Sequence, residues 1–290
     1  MLWLTMLLLT PAMLDIPPTP PAVSSPAPTR VWVTPKPTPG RHVPLSVGTL
    51  YIPAGLDRSA PVPVVIHFHG SAWLPDVAAT QTGHKFALVN IDIGVNSDAY
   101  QARFANPNAF RKLMDEVRRQ LKVPVGPVTL SGFSAGYGAV REILKNKANW
   151  DDIDTVILVD GMHAAYRSGA HGATVQASDV APFVEFARLA AAGQKRMLIT
   201  HSAVYPGAFA STTETADFLL SCLNLTRTAS RQPGPFRSMM QLSEAHQGQF
   251  RLLGFAGNDS PDHYDQLQAL ATWWKMAQVW EPQRSVEADE

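Results

Sequence analysis

The sequence predicts an α/β fold in which a mostly parallel central sheet carries helices on both faces. Short, continuously apolar runs alternate along the chain with longer segments of helical periodicity. The runs are rich in valine, isoleucine and leucine, which is typical of strands buried on both faces. One of them ends in a glycine-rich turn from which a helical pattern starts at once, over residues 128–144. Strands and helices that alternate in this way form parallel sheets covered on both sides.

Length and composition are those of one large globular domain. The chain has 290 residues, of which 46% are hydrophobic and 17% charged, so it can bury a single extensive core. The 24 basic and 24 acidic residues balance, so no net charge draws the protein to nucleic acid or to an anionic membrane. We expect one domain over residues 45–280 and a polar tail over residues 281–290.

The N-terminal region differs from the rest of the chain. Residues 2–14 are apolar but too few to span a bilayer comfortably, and residues 22–24 read Ala-Val-Ser, a small-x-small cleavage site. We therefore expect residues 1–24 to be a signal peptide that exports the chain, secreted or periplasmic, with no stable membrane span after processing. No Lys or Arg precedes the stretch, which leaves a cytoplasmic location open. Residues 25–44 are proline-rich and predict an extended tether.

The elements follow in chain order. Apolar runs predict strands over residues 42–52, 62–69, 86–92, 128–130, 155–160, 197–200 and 250–256. In the first of these ranges, residues 42–52, apolar and polar residues alternate, which is typical of an antiparallel strand or hairpin arm. Apolar residues at helical spacing predict helices over residues 108–121 and from 261 to 274. Residues 161–195 combine a glycine-rich stretch at 169–173 with a helix at 182–192, an arrangement that fits a small cap.

The turn after the strand at residues 128–130 carries the most specific motif. It reads Gly132-Phe133-Ser134-Ala135-Gly136, a G-x-S-x-G pattern between a strand and a helix. So sharp a turn strains the serine backbone and exposes its hydroxyl, while the N–H of Ala135 lies at a helix N-terminus that can stabilise an oxyanion. The motif predicts that Ser134 is a nucleophile. A glycine-rich connection without chemistry stays open as the alternative.

This order of elements resembles the α/β-hydrolase fold over residues 45–277. The resemblance depends on the turn at residues 132–136, on His69-Gly70 after an earlier strand, and on His263 after the last strand. It implies a serine hydrolase of the esterase, lipase or peptidase kind, with nucleophile, acid and histidine in that chain order. The family hosts many reactions, so the fold implies a mechanism and no particular substrate.

The chain has nine histidines, and the place of the general base in the α/β-hydrolase family indicates one of them. His263 stands in the loop directly after the last predicted strand, where the resemblance implies the base of a Ser-His-Asp triad. His163 and His201 also follow strands and are the next candidates. His246 precedes the last strand and would lie at the wrong end of the sheet.

Several carboxylates compete for the role of the acid. Asp160 ends the strand that follows the turn strand, a position that some lipases of this fold use. Glu214 is the alternative acid, although Ser211 and Glu214 also fit a capping box. Three other aspartates remain further alternatives: Asp92, Asp259 and Asp262.

The loop after the strand at residues 62–69 is expected to supply a second oxyanion donor. Its sequence His69-Gly70-Ser71-Ala72 matches the His-Gly position of the family but lacks the longer His-Gly-Gly-Gly form, so we expect the donor at Ser71 or Ala72. Four aromatic residues on nearby loops are candidates for a substrate pocket, although each also suits a core: Trp73, Phe133, Tyr137 and Tyr205.

The predicted function is hydrolysis of a small carboxylic ester through an acyl-enzyme, without metal or cofactor and without a nucleic-acid partner. Two other classes stay open. His67 and His69 form an H-x-H pair that can present both rings on one face of a strand, yet two ligands leave a metallohydrolase site incomplete. The chain could instead be a catalytically silent member that binds a ligand or partner. Peptidase or amidase activity also stays open.

Overall fold

The computed structural model describes residues 30–167 and 174–281. Within them the strands are β1 (Gly40–Pro44), β2 (Thr49–Pro53), β3 (Val62–Phe68), β4 (Ala87–Ile91), β5 (Val125–Phe133), β6 (Ile153–Val159), β7 (Arg196–His201), β8 (Thr228–Pro233), β9 (Met240–Gln247) and β10 (Phe250–Phe255). The α-helices are α1 (Leu74–Thr82), α2 (Ser97–Phe104), α3 (Ala109–Leu121), α4 (Tyr137–Lys145), α5 (Ala177–Ala191), α6 (Thr212–Leu223), α7 (Ser260–Gln268) and α8 (Leu270–Met276).

All the described strands belong to one sheet, in the order β1-β2-β4-β3-β5-β6-β7-β10-β9-β8. The run from β4 to β10 is parallel throughout. The strands beyond it, β2 and β1 at one edge and β9 and β8 at the other, are antiparallel. The mostly parallel sheet predicted from the sequence is therefore confirmed, with antiparallel strands added at both edges.

Helices cover both faces of the sheet and enclose two apolar layers. One layer contains α2, α3, α4, α5 and α6 packed on one face, and the other contains α1, α7 and α8 on the opposite face. The side chains of β3 show how one strand serves both layers. Val64 and Ile66 point into the first layer and Val65 into the second, because successive side chains of a strand alternate between faces.

Three stretches differ from the sequence-based expectations. Residues 40–44, which include the overlap of the predicted tether with the strand predicted over residues 42–52, form β1, and the rest of that predicted strand contains β2, with which β1 pairs. The helix predicted from 261 to 274 is two helices, α7 and α8, which meet at Ala269. The helix of the expected cap, α5, packs beside α4 and α6 and against β7, so it covers the sheet like its neighbours.

The predicted signal peptide, residues 1–24, lies outside the described residues, as do residues 168–173 and most of the polar tail. Export therefore stays a prediction from the sequence. In the part of the chain that the structure describes, no helix combines the length and apolar character needed to cross a membrane.

Candidate active site

Ser134 lies at the junction between β5 and α4, at the C-terminal edge of the parallel strands. Residues 134–136 form one turn of 3₁₀ helix that runs directly into α4. The φ angle of Ser134 is 44°, in the left-handed region that non-glycine residues rarely adopt. Backbone strain of this kind is concentrated at functional sites, where the surrounding structure holds the residue in place.

Close backbone packing explains the glycines around Ser134. A Cβ on Gly136 would lie 2.8 Å from the carbonyl carbon of Phe68 in β3. A Cβ on Gly161, directly after Asp160, would lie 2.6 Å from the backbone nitrogen of Ser134. Heavy atoms cannot approach so closely without displacement, so these two glycines allow β3 and the end of β6 to close around the serine.

Asp160 follows the last residue of β6 and is 1% exposed. His263 Nδ1 donates to Oδ2 of the carboxylate at 2.8 Å. Ser202 donates twice, from its hydroxyl to Oδ2 at 2.6 Å and from its backbone N–H to Oδ1 at 2.9 Å. The hydroxyl of Thr212 donates to Oδ1 at 2.8 Å. The carboxylate thus accepts four hydrogen bonds, which fix its orientation toward the histidine.

The electrostatics of Asp160 favour its ionised form. Burial alone would raise the pKa of this carboxyl group, but the hydrogen bond and charge interaction with His263, together with the bonds from Ser202, outweigh it and lower the pKa to about 2. The side chain is therefore a carboxylate at neutral pH. It can orient an imidazole and stabilise the positive charge of an imidazolium.

His263 lies in the first half of α7, whose N-terminus is closed by a capping box between Asp259 and Asp262. Its ring packs on Phe133, with the ring centroids 4.5 Å apart. Because Nδ1 donates to Asp160, Nε2 of the neutral ring is left as a proton acceptor. Phe133 immediately precedes Ser134, so this stacking places the ring beside the turn. Among the described residues, no hydrogen bond joins Ser134 Oγ to His263.

The loop after β3 turns sharply at His69 and Gly70, whose φ angles are 73° and 119°. A Cβ on Gly70 would lie 3.0 Å from the Phe133 ring, so the loop packs close to the turn that carries Ser134. The hydroxyl of Ser71 accepts the N–H groups of Trp73 and Leu74 at 3.2 Å each. That contact gives the Ser71 side chain a structural task at the start of α1, and an oxyanion donor here would be a backbone N–H.

The other carboxylates considered from the sequence are engaged elsewhere. Glu214 closes the capping box of α6 with Ser211 and accepts the hydroxyl of Tyr166 at 3.0 Å. Asp92 accepts the hydroxyl of Tyr100 at 3.2 Å and lies 3.6 Å from His69. In the described chain the carboxylate that contacts His263 is that of Asp160.

His201 and His163, the next candidates for the base, have other partners. His201 Nε2 accepts from the Arg227 guanidinium at 2.8 Å, and its Nδ1 donates to the Ser202 carbonyl at 3.0 Å. His163 Nδ1 donates to the carbonyl of Ala210 at 3.0 Å, and burial lowers the pKa of its ring.

His67, one half of the H-x-H pair, is fully buried with both ring nitrogens occupied. Nε2 donates to the carbonyl of His69 at 3.0 Å, and Nδ1 accepts from the hydroxyl of Ser131 at 3.0 Å. The Ser131 oxygen accepts the indole N–H of Trp274, also at 3.0 Å. Burial lowers the pKa of His67 to about 3. With no free lone pair toward solvent, this ring is suited to a structural role and not to metal ligation.

A cavity of about 490 Å³ opens beside Ser134, and we call it the Ser134 cavity. Its lining comprises Val95, Asn96, Ser97, Asp98, Gln101, Ser134, Ala135, Tyr137, Arg141, His163, Ala164, Ala165, Asp179 and Phe209. Of the four aromatic residues proposed for a substrate pocket, Tyr137 lines this cavity. Phe133 is buried between the rings of His69 and His263, and Trp73 packs against the second apolar layer. Tyr205 is 47% exposed outside this cavity.

Sequence reasoning missed several residues that shape the site. Ser202 and Thr212 hold Asp160, but their contacts depend on which strand ends are neighbours, which sequence patterns do not specify. Phe209 packs edge-on against His163, with centroids 4.9 Å apart, and carries no motif. Arg141 lies on α4, the helix that follows the serine turn, and no motif indicates that it lines the cavity.

No protein-family model matches the sequence, and no curated protein is similar enough in sequence to match. Solved structures resemble the chain in fold. A poly(3-hydroxybutyrate) depolymerase, LpqC from Bordetella parapertussis, is 15% identical with a TM-score of 0.47, covering 80% of this chain and 87% of its own. A cold-adapted esterase from an Arctic intertidal metagenomic library is 13% identical with a TM-score of 0.47 (86% and 100%). The feruloyl esterase module of Clostridium thermocellum is 13% identical with a TM-score of 0.47 (83% and 90%).

The fold expected from the sequence is confirmed by the structure itself. A parallel central sheet is covered on both faces, and a serine lies on the strand-to-helix turn between β5 and α4. An acid after β6 and a histidine after β10 follow this serine in chain order. These are the features of the α/β-hydrolase fold. A fold of this kind hosts many reactions, so a function has to be argued from the site.

Proposed function

We propose that the protein is a serine hydrolase that cleaves a small carboxylic ester through an acyl-enzyme intermediate. Ser134 is the nucleophile, His263 the general base and Asp160 the acid that orients it. The observation that carries this proposal is the hydrogen bond of 2.8 Å between His263 Nδ1 and a buried, ionised Asp160, at the same sheet edge as a serine with strained backbone.

In the first half of the reaction, Ser134 Oγ attacks the ester carbonyl carbon while Nε2 of His263 takes the hydroxyl proton. The carbonyl oxygen becomes an oxyanion, which the N–H of Ala135 at the start of α4 and one N–H of residues 70–72 would stabilise. The C–O bond of the ester then breaks, and the imidazolium returns its proton to the departing alcohol. Asp160 stabilises the imidazolium while it exists.

In the second half, water replaces the alcohol. His263 takes a proton from the water, whose oxygen attacks the acyl carbon of the Ser134 ester. Collapse of the second tetrahedral intermediate breaks the bond to Ser134 Oγ, which recovers its proton from His263. The products are the carboxylic acid and the free enzyme, so atoms and charges balance over the cycle.

Turnover of p-nitrophenyl esters of short acids tests this proposal. We expect Ser134→Ala and His263→Ala to remain folded and to lose at least about 10³-fold in kcat, because each removes a member of a unit that acts together. Ser221→Ala, at an exposed position of α6, is the matched control and should behave as the wild type. Near-normal hydrolysis by either the Ser134 or the His263 variant would refute the assignment.

A further inference from the structure

The Ser134 cavity contains a buried cation that the proposed mechanism does not use. Arg141 lies on α4, is 7% exposed and lines the same cavity as Ser134. Ser134 lies in the 3₁₀ turn that runs into α4, and Arg141 is the fifth residue of that helix (Tyr137–Lys145). Long side chains on a helix lean toward its N-terminus, which brings the guanidinium back toward the serine.

The guanidinium of Arg141 makes no hydrogen bond to any residue that the structure describes. Its Nε is shielded from solvent and has no partner. The nearest carboxylates are those of Asp179, 3.7 Å from Nη1, and Glu142, 4.0 Å from Nε, both too distant for a hydrogen bond. A buried N–H group without a hydrogen bond is costly, and such groups have partners in nearly all proteins.

Neither carboxylate is arranged to complete the guanidinium. Glu142 contacts Lys145 Nζ at 2.7 Å, outside the cavity lining. One oxygen of Asp179 accepts the backbone N–H of Ala165 at 2.9 Å. The remaining charged residue of the lining, Asp98, is exposed. Asp179 therefore lies near Nη1 of Arg141 without a hydrogen bond to it, and Asp98 is exposed to solvent.

Aromatic rings pack beside the Arg141 guanidinium in the Ser134 cavity. The carbon at its centre lies 5.4 Å from the centroid of the Tyr137 ring, a cation–π contact that holds its plane. Tyr137 packs edge-on against His163, with centroids 5.6 Å apart. Guanidinium planes held in this way bind carboxylates by two parallel N–H···O bonds.

We infer that Arg141 forms a subsite for a carboxylate, and that the substrate is an ester with a second, free carboxylate in its acyl or alcohol part. The inference rests on the proposed function, because it assigns the reacting carbonyl to Ser134 in the same cavity. The half-ester of a short dicarboxylic acid is the simplest molecule that carries both groups. The free carboxylate of the substrate accepts hydrogen bonds from the Arg141 guanidinium, for which no described residue is an acceptor.

Matched pairs of esters test the subsite. The probes are p-nitrophenyl monoesters of succinate, glutarate and adipate, each compared with its neutral methyl diester. We expect kcat/KM of the wild type to favour at least one free acid by roughly 10- to 100-fold, the range for a hydrogen-bonded ion pair. Arg141→Met should reduce that ratio to about 1, and Arg141→Lys should leave an intermediate ratio. Arg111→Met, at an exposed position of α3, is the control and should retain the full ratio.

Binding measured without turnover separates this inference from the proposed hydrolysis. Glutarate should bind Ser134→Ala protein in calorimetry, and Ser134→Ala/Arg141→Met protein should bind at least tenfold more weakly. If glutarate binding depends on Arg141 but the wild-type protein hydrolyses none of the esters, the subsite is retained and the proposed hydrolase is refuted. Ester turnover with equal kcat/KM for acid and diester, or a preference that survives Arg141→Met, would refute the subsite and retain the hydrolase. If Arg141→Met fails to fold, the ratio of kcat/KM for the free acid to that for the diester is compared between the wild type and Arg141→Lys. An equal ratio in these two proteins would refute the subsite.

Discussion

Four hydrogen bonds converge on the carboxylate of Asp160, and three of them come from groups other than the histidine. Ser202 contributes a hydroxyl and a backbone N–H, and Thr212 contributes a hydroxyl. These donors stabilise the charged form, so the carboxylate remains ionised although it is buried. They also fix which oxygen faces His263. The histidine thereby keeps the tautomer in which Nε2 accepts a proton.

Asp160→Asn should reduce kcat for ester hydrolysis by about 10³- to 10⁴-fold. The amide occupies nearly the same volume but cannot stabilise an imidazolium, and its NH₂ group favours the wrong histidine tautomer. The assay is steady-state hydrolysis of a p-nitrophenyl ester, with folding checked by circular dichroism. Asp154→Asn, at the opposite end of β6, is the control and should keep near-normal turnover. Equal rates for the two variants would exclude Asp160 as the acid.

His67 gives the protein a pH-dependent stability. Its folded pKa of about 3 lies below the unfolded value of about 6.5, because burial disfavours the charged ring. Above about pH 6.5 the full stabilisation is present. As the pH falls from about 6.5 to 3, the unfolded state binds a proton that the folded state does not, so stability decreases.

Urea unfolding between pH 7.5 and 4.5 measures this effect. This pH range lies above the range in which Asp160 titrates. The wild type should lose about 3 kcal/mol over that range from this residue, whereas His67→Asn should be less stable at pH 7.5 but show a flatter profile. His246→Asn, at an exposed position of β9, should keep the wild-type slope. A His67→Asn profile as steep as that of the wild type would contradict the explanation.

At the level of elements, residues 30–33 before β1 bind α7, the helix that carries His263, and we call this segment the strap. Arg30 Nε donates to Asp265 at 3.0 Å, and the indole N–H of Trp32 donates to the other Asp265 oxygen at 2.9 Å. The N–H of Val33 donates to the side chain of Gln268 at 2.7 Å. The proline-rich composition indicated an extended segment, but it contained no sign that these residues bind α7.

Removal of the strap contact should destabilise α7. Arg30→Ala leaves Asp265, which is 1% exposed, with one oxygen unpaired, so we expect a loss of about 1–3 kcal/mol in the free energy of unfolding. The measurement is urea unfolding at pH 7.5. Val31→Ala, at a side chain 78% exposed, is the matched control. Equal stability of the two variants would show that the strap does not hold the helix.

The strands of the sheet were predictable to different degrees. The buried parallel strands could be predicted because valine- and isoleucine-rich runs mark strands with two covered faces. β8 and β9 were missed, since their mostly exposed or half-exposed residues have no apolar run or regular alternation. The helix expected across residues 261–274 was predicted as one because its apolar spacing continues through the junction at Ala269, where backbone geometry alone separates α7 from α8.

At the level of the whole molecule, the parallel sheet brings distant parts of the chain to one edge. Ser134, Asp160 and His263 follow β5, β6 and β10, and parallel strands end at the same edge of a sheet. The order of motifs along the sequence was therefore sufficient to predict that these residues share an edge. The donors to Asp160 and the buried cation of the Ser134 cavity could not be predicted, because they depend on which strand ends and helix faces are adjacent.

The central claim is that Ser134 is an activated nucleophile, and reaction with a fluorophosphonate tests it most directly. Such a probe phosphonylates serines that an adjacent base has activated. Intact-mass and peptide spectra should show one adduct per chain, on the peptide with Ser134, with no adduct in Ser134→Ala and slower labelling in Asp160→Asn than in Asp154→Asn. A folded wild-type protein that stays unlabelled, or an adduct on another residue, would contradict the account.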